Sequence, residues 1–275
     1  MKKAHLKKVI IAVIAGILAL LIIFPAVWII LTSIKPYDDM FAIPVKFFPD
    51  TICFEHYEIV LGMSNFRRYF VNSVVVSTIS TLVNIVLAAL AAFAFSRYRF
   101  RGSKVLLGSV VLTQLFPAAV LLIPLYKLWA GLRLLDTYSC LVVTYAITTL
   151  PLSIWMLTGF FNTIPKEVDE AALIDGCSRM QTLVKIILPL ARPALFASAT
   201  YIFINVWQEF LFSITFTTTD LMRTLPVGLY SFIGERATDW GPLMAGAVIT
   251  TIPILVFFGF SQKNFTHGVA GAVKG

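Results

Sequence analysis

The chain has 275 residues, 59% of them hydrophobic and only 13% charged, whereas a soluble domain carries roughly 25% charged residues. This composition excludes an ordinary soluble protein, and 15 glycines with 13 prolines exclude a fibrous or low-complexity chain. A net charge of +8 would indicate nucleic acid only if gathered on one surface, and its distribution points elsewhere.

Lys2, Lys3, Lys7 and Lys8 precede an apolar run that stays free of charge from Val9 to Ile34, 26 residues. A cleaved signal has an apolar region of about 7–15 residues, so this reads as an uncleaved first span. A helix needs about 20 apolar residues to cross a bilayer. Further charge-free windows run Tyr69–Ser96, Val105–Tyr126, Thr137–Pro165 and Trp240–Gln262; Pro193–Thr219 holds one acid, Glu209. Backbone in lipid must satisfy its own hydrogen bonds, and unbroken runs such as Leu18–Ile23 do not fit the alternation of a barrel strand. The expected fold is therefore an all-α integral membrane protein with six transmembrane helices. The spans are placed at 9–33, 69–95, 105–126, 138–162, 194–216 and 240–262, within a membrane-embedded body 9–262.

With the N-terminus in the cytoplasm, the inside segments are 1–8, 97–104, 166–192 and 263–275. They hold 14 of the 22 basic residues and only four of the 14 acids. Lys and Arg concentrate on the cytoplasmic side, so both termini are expected there, and the basic excess needs no nucleic-acid partner. Outside, 35–68 contains Pro36, Pro44 and Pro49 with mixed charge and reads as a surface cap or partner-facing loop. Cys53, Cys140 and Cys177 are too scattered for a disulfide framework or zinc site. His5, His56 and His267 are isolated, and no metal site is expected. Trp28, Trp129 and Trp240 lie near span ends, where aromatic residues anchor to the interface.

The cytoplasmic loop 163–192 is the most organised polar segment. Pro165 suits a helix start, and Glu167, Asp169 and Glu170 follow in the first turn, where the helix dipole favours negative charge. Ala171 and Ala172 are small enough for another surface to approach closely, and Asp175-Gly176 signals a turn. Met180, Leu183, Val184, Ile187 and Leu188 then form one apolar helical face, closed by Pro189 and Pro193. An amphipathic hairpin on headgroups would explain the second helix. An anionic leaflet would repel the acidic start of the first, so a protein partner is the better reading.

Glu170-Ala171-Ala172, three residues, Gly176, nine residues, Ile186, one residue, Leu188-Pro189 resembles the "EAA" signature of permease subunits of ATP-binding-cassette importers. Cys177 stands where alanine is usual, and Leu183 where an aromatic is often found. The resemblance implies that Glu170, Ala171, Ala172, Asp175, Gly176, Ile186, Leu188 and Pro189 form a coupling loop seated on a cytoplasmic ATPase subunit. Pro117 with Leu122–Tyr126 and Leu134–Asp136, Leu150–Phe161, Arg223–Leu229, Asp239–Gly241 and Gln262–Gly275 resemble the carbohydrate branch, whose best-known member imports maltose. Within that branch the chain resembles the smaller, tail-bearing permease. This implies a bacterial or archaeal cytoplasmic membrane, a second permease subunit, two ATPase subunits, an extracytoplasmic solute-binding protein and a sugar substrate.

No phosphate-binding loop of the Gly-x-x-x-x-Gly-Lys-Ser/Thr type occurs. The chain is expected to be a transport subunit rather than an enzyme and to bind no cofactor, with ATP and Mg on the partner ATPase. The tail 263–275, with Gly268, Gly271 and Gly275, reads as flexible by itself. Its Gly271, Ala272, Val273, Lys274 and Gly275 are expected to contact the ATPase.

Glu209 is the one ionisable side chain within a span, and such residues are functional hypotheses by default. Asn205 and Glu209 share a helical face that Gln208 borders. Two readings stand: this group lines the solute path, or Glu209 bonds a neighbouring helix and holds the bundle together. Gln114 in the third span is a further path candidate. Rival functions are the same architecture importing glycerol phosphate, a polyamine or an amino acid, and an ion-coupled secondary transporter. One acid and no visible repeat argue against the latter. A membrane-embedded enzyme would want clustered His, Asp or Glu near one face, and the clustered acids lie in the loop instead.

Overall fold

The computed structural model describes residues 2–98, 100–234 and 237–272, with side chains described for 8, 10–98, 100–234 and 237–259. In chain order the helices are α1 Lys2–Ser33, α2 Tyr37–Met40, α3 Glu55–Gly62, α4 Phe66–Arg97, α5 Ser103–Leu112, α6 Ala118–Gly131 and α7 Tyr138–Phe161. They continue as α8 Lys166–Ile174, α9 Arg179–Thr182, α10 Leu188–Leu190, α11 Arg192–Trp207, α12 Leu211–Phe216, α13 Leu225–Leu229 and α14 Trp240–Ala272. Among the described residues the only β-pairing is an isolated bridge between Ile233 and Thr238.

Four helical segments are long and apolar enough to cross a membrane: Ile10–Ser33, Phe66–Arg97, Tyr138–Phe161 and Trp240–Gly259. Two bent pairs bring the candidate spans to as many as six. The expected third span at 105–126 is not one straight helix. It breaks after a 3₁₀ turn at Thr113–Leu115, and Ser103–Leu115 meets Ala118–Gly131 at 98°. Phe116 is extended at ψ 121°, as the residue before Pro117 must be. Pro25, Pro124, Pro151 and Pro253 lie inside helices instead, so proline alone did not mark the break.

The chain divides into two units, Met1–Phe66 with Leu229–Pro253 and Arg67–Gly228 with Ile254–Gly275. In the first, the segment after α1 is folded around buried polar groups. Lys35, 1% exposed, donates to Lys46 O at 2.6 Å and lies 4.2 Å from the Trp28 ring centre. Lys46 bridges Asp39 at 2.6 Å and also Asp50, and its ammonium holds the Asp39 carboxyl below the usual carboxylate range. Buried His56 bonds Lys35 O at 2.8 Å, while Tyr37 donates to Asp239 at 2.8 Å. A Cβ on Gly241 would fall 2.4 Å from the His56 ring, which gives the Asp239-Trp-Gly241 element a packing reason. Phe41, Ile43, Val45, Phe48, Ile52 and Phe54 are exposed.

The second unit is the helical bundle. Ala88, Ala89 and Ala92 of α4 pack with Ile154, Leu157 and Phe161 of α7 and with Leu183, Ile187 and Ala191. Small side chains let backbones approach where lipid gives little hydrophobic drive between helices. A second cluster joins Val76, Trp129, Leu141, Tyr145, Ile202, Val206, Phe212 and Phe216. Trp129, expected at the interface, is 5% exposed and donates to Thr144 Oγ1 at 3.0 Å; its indole is a core element. Fully buried Asn72 donates to Leu221 O and Arg223 O and accepts from Tyr138. Asp136 accepts from the backbone N–H and hydroxyl groups of both Thr218 and Thr219, tying the α6–α7 connection to the segment after α12. The helix begun at Trp240 continues to Ala272, so Gly268 and Gly271 lie in a helix rather than in the flexible tail expected.

Candidate functional site

Two features of the second unit carry chemistry: the loop 163–192 and a cavity among α5–α7, α11 and α12. In the loop, α8 ends as its sequence dictates. Gly176 has φ +85°, a left-handed conformation that glycine adopts without Cβ strain. Gly176 N–H bonds Leu173 O and Cys177 N–H bonds Ala172 O, the paired bonds of a Schellman cap. Ser178 and Gln181 then form a reciprocal capping box that starts α9, a Ser-x-x-Gln signal overlooked in the sequence. A π-turn at Leu183–Ile187 follows, directly before Pro189, which has no N–H to donate to Lys185 O. The chain then bends by 82° into α11.

Burial sorts the motif residues. Glu170, Ala171, Asp175, Gly176 and Pro189 are exposed, Ile186 and Leu188 half-buried, and Ala172 buried at 3%. Ala172 therefore faces the bundle, and only Ala171 of the alanine pair is open to an approaching surface. On the second helix Leu183, Ile187 and Leu188 face inward, but Met180 and Val184 are exposed; the π-turn rotates them off the expected common face. Ile174, 86% exposed, is a missed apolar knob beside the Asp175-Gly176 turn. Asp169, 4% exposed, points inward to Arg97, its Oδ2 lying 2.5 Å from Arg97 Nε. The contact is an ion pair by distance, while its angles fall outside hydrogen-bond geometry.

The cavity has a volume of about 790 Å³ and is lined by residues including Gln114, Tyr145, Thr148, Tyr201, Asn205 and Glu209. Three of the four sequence candidates therefore share one wall system; Gln208 is exposed and is not among the lining residues. Gln114 is exposed and donates to Thr148 O at 2.8 Å, and Asn205 is exposed and donates to Tyr201 O at 2.8 Å.

Glu209 is different. The fifth span breaks between Trp207 and Leu211, which strands the first N–H groups of α12. Glu209 Oε1 accepts from Phe212 N–H at 2.8 Å, and Oε2 accepts from Ser213 N–H at 3.1 Å and from Tyr145 OH at 2.7 Å. The carboxylate caps α12 at its positive dipole end and pins the break to α7. Both oxygens are engaged, an arrangement suited to the scaffold reading of Glu209.

Of the tail residues expected to contact the ATPase, Gly271 and Ala272 end α14, and Val273, Lys274 and Gly275 lie outside the described residues. Among the described residues no cluster of His, Cys, Asp and Glu could hold a metal.

Residues 84–271 match the family described as "Binding-protein-dependent transport system inner membrane component". The trehalose/maltose transport system permease protein of Thermococcus litoralis is 37% identical over the full length of both chains. The trehalose transport system permease protein of Mycobacterium tuberculosis is 34% identical over 92% of this chain and 93% of its own length. In a crystal structure of a bacterial ABC transporter involved in alginate import, one chain superposes with a TM-score of 0.82 at 24% identity, covering 96% of this chain and 98% of that one. That likeness fixes the fold, and the sequence match fixes the lineage: this chain belongs to the binding-protein-dependent transport system inner membrane components, permease subunits of ATP-binding-cassette transporters.

Proposed function

We propose that this chain forms half of the translocation pathway of an ATP-driven importer for a sugar or oligosaccharide. It has six spans with both termini cytoplasmic and is paired with a second permease subunit. Two ATPase subunits carry ATP and Mg and grip the exposed side of α8, formed by Glu170, Ala171, Ile174, Asp175 and Gly176. An extracytoplasmic binding protein delivers the solute, and closure of the ATPases moves the loops 163–192 so that the pathway opens alternately to each side. Residues 271–275 rest on the ATPase pair; deleting Val269–Gly275 is expected to lower transport at unchanged membrane level.

The observation that carries the sugar reading is the lining of the cavity. Its volume, about 790 Å³, is within the roughly 300–1,000 Å³ of small-molecule sites. Its walls mix aromatic and apolar side chains with the amides of Gln114 and Asn205, and no Lys or Arg is among the lining residues. Amides and aromatic faces suit hydroxyl-rich uncharged solutes. A phosphate would want a cation, and a polyamine a free carboxylate, whereas the Glu209 oxygens are already engaged. Relatives named for trehalose, maltose and diacetylchitobiose transport agree with this choice.

The test is ATP-dependent uptake by the complete importer in proteoliposomes. A panel of radiolabelled neutral disaccharides is compared with glycerol 3-phosphate, spermidine and amino acids. Uptake of a disaccharide, reduced in Asn205→Ala and Gln114→Ala, is expected. Uptake of a charged solute with no disaccharide transported would overturn the sugar assignment and leave the importer architecture standing.

A further inference from the structure

Arg97 is the last residue of α4, and its guanidinium is the meeting point of three helices. Nη1 donates to Phe161 O at 2.9 Å and to Ser96 Oγ at 3.0 Å, and Nη2 donates to Ile164 O at 3.2 Å. Phe161 O is the last carbonyl of α7 and also accepts the Ile164 N–H at 3.2 Å, and Ile164 O belongs to the connection that leads into α8. Ser96 Oγ in turn donates to Asn162 Oδ1 at 2.8 Å. Nε lies 2.5 Å from Asp169 Oδ2 as an ion pair, with both side chains 5% exposed. Asp169 is the residue immediately before Glu170-Ala171-Ala172, and it faces the opposite way from exposed Glu170.

Apart from this pair, α8 is anchored inward by small or partly buried groups, chiefly Val168 at the edge of the α4–α7 cluster and buried Ala172. Apolar contacts of that kind slide at little cost. A buried ion pair does not, because separating its partners leaves an uncompensated charge out of water. Buried pairs add little stability over well-packed apolar residues, and their best-attested use is to fix a register. The planar fork of arginine suits it to holding two carbonyls by hydrogen bonds while its charge faces one carboxylate as an ion pair.

We infer that Arg97 is a positioning residue for transport: through Asp169 it locks the inner face of α8 to the cytoplasmic ends of α4 and α7. Displacement of α8 then moves those spans instead of being absorbed at the surface. This rests on the reading of α8 as the ATPase-docking element. Glu170 and Ile174 on the outer face take up the partner, while Arg97 and Asp169 on the inner face pass the motion on.

The test separates docking from transmission in the complete importer, reconstituted in nanodiscs. Cys53, Cys140 and Cys177 are replaced, and a single reporter, Thr148→Cys, is placed on the cavity wall. Docking is read as capture of the ATPase by the tagged permease pair, and hydrolysis as phosphate release. Transmission is read as the change in maleimide labelling of the reporter between nucleotide-free and ATP-vanadate states. With Arg97 and Asp169 intact, a change of tenfold or more in labelling rate is expected. Arg97→Gln and Asp169→Asn should keep ATPase capture within twofold while the labelling change falls below twofold, with Arg97→Lys intermediate. The double variant Arg97→Met/Asp169→Leu guards against misfolding, since an apolar pair tolerates burial; it should assemble, capture the ATPase and remain uncoupled. A wild-type labelling change in that double variant, or in Arg97→Gln, would overturn the inference. Absence of capture with both residues intact would overturn the docking reading instead.

Discussion

Replacing Glu209 by alanine is expected to damage the scaffold before it touches the solute. The side chain accepts three hydrogen bonds, from Phe212 N–H at 2.8 Å, Ser213 N–H at 3.1 Å and Tyr145 OH at 2.7 Å. Hydrogen bonds to a charged acceptor contribute about 1.5–3 kcal/mol each. The cavity beside Glu209 lets water recover part of that loss, so Glu209→Ala should cost about 4 kcal/mol in all. Glu209→Gln keeps one carbonyl oxygen but turns an amide N–H toward an existing donor, and should cost about half as much, about 2 kcal/mol. Asn205→Ala removes an exposed amide whose described bond returns to its own helix, and should stay within about 0.5 kcal/mol. The assay is denaturant unfolding of the purified permease pair, run beside solute uptake at matched membrane levels. Glu209→Ala should lower the unfolding midpoint strongly, and Asn205→Ala should lower uptake at an unchanged midpoint. Equal midpoints for wild type and Glu209→Ala, with uptake abolished, would refute the capping argument and make the carboxylate a solute-binding group.

Three further outcomes follow from the geometry. Burial pushes the Asp136 carboxyl up, but Thr218 and Thr219 donate to it and hold it below the usual carboxylate range. Its clamp therefore stabilises above the unfolded carboxyl's pKa of about 3.9 and is lost as pH falls through the lower folded value. Protection factors at Thr218 and Thr219, taken relative to intrinsic exchange at each pH, should fall on acidification in wild type, whereas Asp136→Asn should start less protected and lose that dependence; identical profiles would contradict the clamp. Gly241→Ala places a Cβ 2.4 Å from buried His56 and should cost about 1–3 kcal/mol by overpacking, read as a lower unfolding midpoint; an unchanged midpoint would show that the ring has room to move. Ile174→Asp, at a side chain 86% exposed, should leave stability within about 0.5 kcal/mol yet reduce ATPase capture at least tenfold.

The sequence makes the spans legible because lipid removes charge from long windows, a signal no local detail obscures. It makes the Gly176 turn legible because a left-handed residue there wants glycine. The breaks in the third and fifth spans are harder to see. Pro117 interrupts a helix while Pro124, seven residues on, sits inside one, since the outcome depends on whether neighbouring groups satisfy the freed backbone. The break at Gln208–Phe210 has no proline or glycine; it exists because Glu209 supplies the missing acceptors of α12. Asp169 was misleading for a related reason. An acid in a first helical turn reads as a dipole partner wherever its side chain points, and only the placement of Arg97 beside it shows that it turns inward. Ile174 was passed over because exposure of an apolar residue cannot be read from a loop in which Leu173 next to it is half-buried.

The most direct test of the central claim is capture of the cognate ATPase subunit by tagged permease pair, comparing wild type with Glu170→Lys and Gly176→Trp. Both substitutions fall on exposed positions of the turn-helix element, and because Gly176→Trp also strains the left-handed turn, capture is compared at matched membrane levels. Capture by wild type and loss in both variants is the predicted result. No capture by wild type co-expressed with its partner permease would contradict the assignment of this loop as the ATPase-docking element.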